Sequence, residues 1–235
     1  MSGWFFSAME ATWPPARRWQ VGPFALRDGA GGGKRVSAAT AEGAWDDAAL
    51  DAAEAAMDAP LFLIRPGEEA LDAALAARGH ALVDPVIAYA APVARLQGDL
   101  PFLTAFPHWP PLAAAAALWA EGGIGPERLA VMDRVTGPKA AILGRIDDRP
   151  AGMAFVACAD GATGREAMVH AVEVDPAQRR KGLGGHLLRA AANWAAETGA
   201  ERLSLVVTKR NDAARALYDR LGMEPVAAYH YRARR

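Results

Sequence analysis

The sequence predicts an α/β (α+β) protein built from two related halves, on three observations. Short apolar runs such as Leu61-Phe62-Leu63-Ile64 alternate with alanine-rich segments whose apolar residues recur at helical spacing. Clusters of glycine, proline and aspartate separate these runs, as turns require. One order of elements also occurs twice. A helix, the strand Leu61–Ile64, a helix over 68–78, Gly79 and a strand to Tyr89 are matched later in the chain. The second copy is a helix over 183–198, a strand over 203–207, a helix over 212–221, Gly222 and a strand to Tyr229. Placing Gly79 on Gly222 sets Phe62 against Leu205 and Leu75 against Tyr218.

The elements follow in order. Residues 1–22 hold Trp4, Trp13, Trp19 and Pro14-Pro15, and read as an irregular segment packed against the body. A strand over 24–27 ends in Asp28-Gly29-Ala30-Gly31-Gly32-Gly33, and 34–39 is expected to return as its hairpin partner. A helix over 45–58 and the strand Leu61–Ile64 come next. Pro66-Gly67 breaks that strand, and Glu68-Glu69 opens a helix with acids where the dipole favours them. Gly79 caps it, and a strand over 86–90 follows. The passage 95–110 is rich in proline (Pro101, Pro107, Pro110), and the domain boundary is placed there, giving domains 1–96 and 97–235. Helices over 111–121 and 126–134 lead to antiparallel strands over 140–146 and 151–158, joined at Asp147-Asp148-Arg149-Pro150. The rest reads as a strand over 167–174, a helix over 183–198, a strand over 202–208, a helix over 212–221 and a terminal hairpin through 229–234.

Composition narrows the function. Of 235 residues, 52% are hydrophobic and 23% charged, which excludes disorder of the whole chain, a collagen repeat and a coiled coil. A formal net charge of −1 argues against sheathing a phosphate backbone, so no nucleic acid is expected as partner. Cys158 is the single cysteine, so neither an internal disulfide nor a cysteine-based zinc cluster can form. No run approaches the roughly 18–20 apolar residues that span a bilayer, and the opening Met1–Phe6 lacks a basic n-region. A cytoplasmic protein without membrane or metal, monomeric or homodimeric, is the expectation.

The most informative segment is Val172-Glu173-Val174-Asp175-Pro176-Ala177-Gln178-Arg179-Arg180-Lys181-Gly182-Leu183-Gly184-Gly185. A strand ends at Asp175-Pro176, a basic glycine-rich turn follows, and a helix opens after it. That helix has a core face of Leu183, Leu187, Ala190 or Ala191, and Trp194, opposite a stripe of His186, Arg189, Asn193 and Glu197. First-turn amides lack intrahelical partners and the macrodipole is positive there. Glycines let a ligand approach the backbone, so the site suits a diphosphate. A P-loop is excluded, since Arg35 follows Gly33-Lys34 and Asp28 stands where the first glycine belongs. A dinucleotide fingerprint fails at Leu187.

The pattern [Gln/Arg]-x-x-Gly-x-[Gly/Ala], supplied by Arg179, Gly182 and Gly184, resembles the coenzyme A pyrophosphate loop of the GNAT superfamily of N-acetyltransferases. A second stretch, from Asn211 through Ala214, Leu217 and Tyr218 to Gly222-Met223, resembles that family's Asn-x-x-Ala-x-x-Leu-Tyr-x-x-x-Gly-Phe pattern, with Met223 for the phenylalanine. Ala214, Leu217 and Leu221 form its core stripe, with Tyr218 at the edge. The resemblance covers about 110–235, and 1–95 resembles the degenerate first half of tandem members. It implies two halves, each a mixed, mostly antiparallel sheet flanked by helices, with the C-terminal half complete.

The same resemblance implies acetyl-CoA as co-substrate and direct transfer of its acetyl group to an amine of an unidentified acceptor. Backbone groups of Val172 and Val174 would bond the pantetheine amides. Amides of Arg179, Arg180, Lys181, Gly182, Leu183, Gly184 and Gly185 would hold the pyrophosphate, and Asn211 would help anchor the pantetheine arm. Tyr218, with a hydroxyl pKa near 10 against about 8.5 for a thiol, would protonate the departing thiolate. Glu173 is a candidate base, with Glu166 and His170 beside it on the same strand. The first half lacks the loop and has Leu75 where the repeat places Tyr218. Its Gly29–Gly33 run reads as a flexible turn rather than a phosphate site, and Lys34 and Arg35 either face the acceptor cleft or belong to a solvated turn, the second being preferred. The alternatives are a regulatory module that binds acyl-CoA without turnover and a partner-binding protein with an alanine-rich interface.

Overall fold

A computed structural model describes residues 3–162 and 164–234. The first half runs α1 (Gly3–Thr12), β1 (Arg17–Val21), β2 (Phe24–Asp28), β3 (Thr40–Ala41), α2 (Asp47–Ala55), β4 (Leu61–Ile64), α3 (Glu69–Ala77), β5 (His80–Pro92) and α4 (Val93–Leu96). The second runs β6 (Ala105–His108), α5 (Ala113–Glu121), α6 (Pro126–Arg134), β7 (Lys139–Ile146), β8 (Arg149–Gly161), β9 (Gly164–Val174), α7 (Leu183–Glu197), β10 (Arg202–Thr208), α8 (Asp212–Arg220) and β11 (Glu224–Arg234). Strands β1-β2-β3 make a small sheet, and the other eight make a large one in the order β4-β11-β5-β10-β9-β8-β7-β6. The α/β fold of sheets flanked by helices is the one the sequence predicts, but the halves share one large mixed sheet instead of holding one each, and within it the β9–β10 pair runs parallel among antiparallel neighbours.

Three local readings are corrected. Residues 3–12 are a helix, not irregular chain. Phe5, Ala8, Met9 and Thr12 are its buried residues, at the spacing of one helical face. The hairpin partner of β2 is β1, which precedes it through the Gly22-Pro23 turn. Residues 34–36 instead form a single 3-10 turn, and only Thr40–Ala41 returns to pair with β2. The chain ends in one strand, β11, whose register shifts near Pro225 and Tyr229, rather than in a hairpin. The β7–β8 turn holds as read: Asp147 and Asp148 both take positive φ, 49° and 59°, as a two-residue hairpin of matching twist requires.

The repeat explains the order of the large sheet. Matching Phe62 to Leu205 equates β4 with β10 and β5 with β11. Each half's last strand pairs with the other half's penultimate strand: β5 with β10, and β11 with β4. The two exchanged strands pair with each other, as second and third strands of the eight. The sheet therefore runs without a break across residue 96.

Helices α7 and α8 cover one face over Ile142, Val156, Val169 and Leu205. On the other face, α5 and α6 pack with Met153 and Phe155. Two glycines set the height of α7. A Cβ on Gly144 would lie 2.9 Å from Leu183 and Leu187, and one on Gly152 would lie 3.0 Å from Leu183. Leu183 and Leu187 thus seat directly on the sheet, which fixes where the N-terminus of α7 points.

Candidate active site

The site begins where two parallel strands part. β9 and β10 pair from Glu166↔Arg202 to Val169↔Leu205 and no further, although β9 continues to Val174 and β10 to Thr208. The cause is a bulge. His170 faces Phe155 and Glu173 faces Met153, so two residues of β9, Ala171 and Val172, oppose the single Ala154 of β8. Ala171 takes φ 51°, and its carbonyl accepts a 2.8 Å bond from the Trp119 Nε1–H. A bulge of this kind bends its strand and raises the twist. Beyond it the Asp175 N–H donates to the Ala151 carbonyl of β8 at 2.9 Å. By strand alternation, Val172 and Val174 turn their backbone groups the other way, into the opening.

The loop that follows is built to leave a helix end bare. Asp175 accepts from the Ala177 N–H at 2.9 Å and starts a 3-10 turn over Pro176–Gln178. Arg180 and Gly182 take φ 68° and 86°. Gly182 is the N-cap of α7 and offers no side chain to its amides. The contrast with α2, its repeat counterpart, is direct: there Asp46 caps the Ala49 N–H at 2.8 Å and places a carboxylate at the dipole's positive end. The α7 terminus can take an anion, and the α2 terminus holds its own. Arg180 and Lys181 are exposed beside the bare end, and a Cβ on Gly184 would meet Leu217 of α8 at 3.1 Å. This cradle fits a diphosphate. Asn211 caps α8 by accepting from the Ala214 N–H at 3.1 Å, which leaves its amide NH2 for a ligand. Arg189 and Asn193, on the outer stripe of α7, hold the connecting passage through the backbone of Gly98 and Asp99.

Tyr218 lies deeper than the sequence suggests. It is 6% exposed and is the buried residue of α8, whereas Ala214, Leu217 and Leu221 are half-buried. Its ring packs 5.6 Å from that of Tyr89, which faces Leu205, the residue at which β9 and β10 part. Burial, with Tyr89 beside it, pushes its hydroxyl up to about 12. The near match to a thiol expected for a free tyrosine is thereby lost, and the group holds its proton throughout the physiological range.

The three carboxylate and imidazole candidates separate. Glu166 is buried at the paired end of β9 and grips Arg202 through bonds of 2.8 and 3.0 Å, away from the opening. Glu173 lies on the α5 face of the sheet, opposite Tyr218, and bonds Arg179 at 3.0 Å beside Gly122. It lines a cavity of about 280 Å³ with Leu118 and Arg179. Arg179 also donates from Nε to the Val174 carbonyl at 3.0 Å.

His170 is buried in a chain of bonds whose direction is fixed. Arg35 Nη1 donates to His170 Nδ1 at 2.8 Å, because a guanidinium cannot accept. His170 Nε2 therefore carries the proton and donates to Thr12 Oγ1 at 2.9 Å, and that hydroxyl donates to the Ala8 carbonyl at 2.7 Å. Burial, then the nearby Arg35 charge, drives the His170 pKa well below its ordinary value, so the ring is neutral.

A cavity of about 270 Å³ opens at the diverging strand ends, lined among others by His170, Ala171, Thr208, Lys34, Arg35 and Asp84. Reading Lys34 and Arg35 as a solvated turn is half corrected. Lys34 is 47% exposed and pairs with Asp84 at 3.0 Å, but Arg35 reaches inward to His170. No local pattern marks Arg35, since its partner lies 135 residues away.

Comparison with known proteins agrees with this geometry. Residues 112–223 match the profile of the acetyltransferase (GNAT) family. An uncharacterized N-acetyltransferase of Bacillus subtilis (strain 168), YobR, is 40% identical over 80 residues, which are 34% of this chain and 31% of that protein. The matched stretch thus spans about a third of that relative's length. A GCN5-related N-acetyltransferase from Kribbella flavida superposes with a TM-score of 0.70 at 26% identity, covering 98% of this chain and 94% of that one. A tandem GNAT protein from the clavulanic acid biosynthesis pathway shares the fold, with a TM-score of 0.63 at 15% identity over 89% of this chain and 77% of that one. Residues 112–223, which carry the bulged strand β9, the loop, α7, β10 and α8, are a domain of the acetyltransferase (GNAT) family.

Proposed function

We propose that this protein is an acetyl-CoA-dependent N-acetyltransferase, with 97–235 as its catalytic domain and an amine as acceptor. The observation that carries the reading is the bare, glycine-rich N-terminus of α7 set beside the parted strands β9 and β10. The family domain supports acyl transfer in general.

The coenzyme supplies an activated acyl group on sulfur. As the acceptor's N–C bond forms and the C–S bond breaks, the amine gives up one proton and the sulfur takes one. The chain's residues then have distinct tasks. Amides from Arg180 to Gly184 and the α7 dipole would bind the diphosphate, since the N–H groups of Arg179 and Gly185, also expected to take part, already donate to the Pro176 and Gly182 carbonyls. The backbone of Val172 and Val174 lies along the opening and would bond an extended amide arm like a neighbouring strand, with the Asn211 amide alongside. Tyr218, protonated and adjacent to the point where the strands part, would give its proton to sulfur. Glu173 would take the amine proton through water. Arg179 bonds both Glu173 and the Val174 carbonyl, so drawing that guanidinium to a diphosphate would free both groups at once.

Calorimetry with acetyl-CoA, followed by thiol release on adding a panel of amines, tests the reading. Binding with amine-dependent thiol release supports it. Binding without release on any amine supports the regulatory module instead. Absence of binding refutes both.

A further inference from the structure

The cavity at the parted strand ends has a chemical preference. Its walls carry Lys34, Arg35 and Arg128 against a single carboxylate, Asp84, an excess of two positive charges. Asp84 is already engaged by Lys34 at 3.0 Å and Arg210 at 3.4 Å.

Arg35 is the unusual member. Other arginines at least partly buried either meet carboxylates, as Arg27 does with Glu10, Arg202 with Glu166 and Arg232 with Asp72, or donate to backbone carbonyls, as Arg134 and Arg189 do. Among the described residues Arg35 has no carboxylate within ion-pair distance. Its side-chain bond goes to His170, and its Nε is buried without a hydrogen-bond partner. The relay from His170 through Thr12 to the Ala8 carbonyl leaves Nδ1 as a neutral acceptor. The guanidinium is thereby oriented but not neutralised. A partly desolvated charge of this kind calls for an anion, and a guanidinium fork matches a carboxylate through two parallel bonds.

We infer that the acceptor amine carries a carboxylate and that Arg35 binds it, so the acceptor is a free amino acid or a similar small amino-carboxylate. This inference rests on the proposed transferase reading and narrows its substrate. A volume of about 270 Å³ is at the small end for a ligand site, which suits such a molecule better than a polypeptide segment. Ala171 and Thr208, which line the same cavity as Arg35, flank the parted strands, so a carboxylate held at Arg35 would leave the amine near the opening. Arg35 comes from the first half of the chain and His170 from the second, so the half without a coenzyme loop supplies the acceptor's anchor.

The test first measures acetyl-CoA binding, then compares the common amino acids with the matching amines that lack the carboxylate, such as phenylalanine with phenethylamine, by thiol release. At least one amino acid should exceed its decarboxylated partner in kcat/KM. That preference ratio should fall at least about tenfold in Arg35→Met, with Arg35→Lys between the two. Taking the ratio within one variant removes any general loss of folded protein. If acetyl-CoA does not bind the wild-type chain, the transferase reading itself fails. Coenzyme binding with no turnover of any carboxylate-bearing amine overturns the inference, as does a ratio unchanged in Arg35→Met.

Discussion

Tyr218 shows how burial alters a chemical role. With its hydroxyl pushed up to about 12, it stays protonated at every working pH but has less drive to give that proton to a thiolate, and no alkaline fall in kcat below about pH 11 should trace to it. Tyr218→Phe should lower kcat by roughly 10²-fold while coenzyme affinity stays within about twofold, read by steady-state kinetics beside calorimetry. A folded-state value above the unfolded one also has a stability consequence. The unfolded chain sheds this proton from about pH 10, whereas the folded chain holds it to about 12. Tyr218 therefore destabilises the fold progressively across that window and has no such effect below it. The loop glycines give a second test. Gly182→Asp strains a residue at φ 86° and sets a carboxylate at the α7 terminus, so acetyl-CoA binding should be lost. Gly199→Asp, at φ 79° with nothing within 4 Å of the new Cβ, imposes similar strain away from the loop and should leave coenzyme affinity unchanged.

Among the elements, those with clean periodicity were legible and those shaped by distant contacts were not. β4, β10 and α7 have local signals: an apolar run between breakers, or a core face after a glycine turn. In α1 the consecutive aromatics Trp4, Phe5 and Phe6 blur the face that Phe5, Ala8, Met9 and Thr12 present. The carboxylate, imidazole and guanidinium groups around β9 were visible as types. Which of them meet is set by the bulge at Ala171, which no spacing announces. The length of β11 was hidden by its shifts in register, and its anchoring depends on a long-range pair. Asp72 of α3 accepts from Arg232 at 2.7 and 3.0 Å and bonds His230 at 2.6 Å. Arg232, then His230, hold the Asp72 carboxyl down to about 2. A carboxyl with a folded value below its unfolded 3.8 stabilises the fold fully above that pH, and the effect fades as pH falls through about 2. The contribution is on the order of 2 kcal/mol at neutral pH. Urea unfolding should show Asp72→Asn less stable than wild type at pH 7, with the gap closing toward pH 2.

At the scale of the whole molecule, the repeat is asymmetric in chemistry. Where the second half has Gly182, Thr208 and Tyr218, the first has the Asp46 cap, Arg65 and Leu75. Arg65 bonds the Ala41 carbonyl and Glu68, covering the place where its own half could open. Calorimetry should accordingly give one acetyl-CoA per chain. A second site would mean that the Asp46 terminus also takes a diphosphate. The exchange of last strands makes the halves interdependent despite their separate sequences. A fragment of 97–235 alone lacks β5, on which both β10 and β11 pair. It should not fold by circular dichroism, and adding the fragment 1–96 should restore structure. Independent folding of either fragment would show that the exchange is dispensable.

The exchange also imposes a timetable on synthesis. The pairing of β11 with β4 and β5 joins residues 224–234 to residues 61–64 and 80–92. Until β11 leaves the ribosome, β4 has no antiparallel neighbour and β5 exposes one edge, although the glycine-rich loop and α7 have already emerged. The two halves cannot mature one after the other as beads on a string would. The nascent chain must carry open strand edges until its last strand arrives, which is when it is most exposed to pairing with the wrong chain.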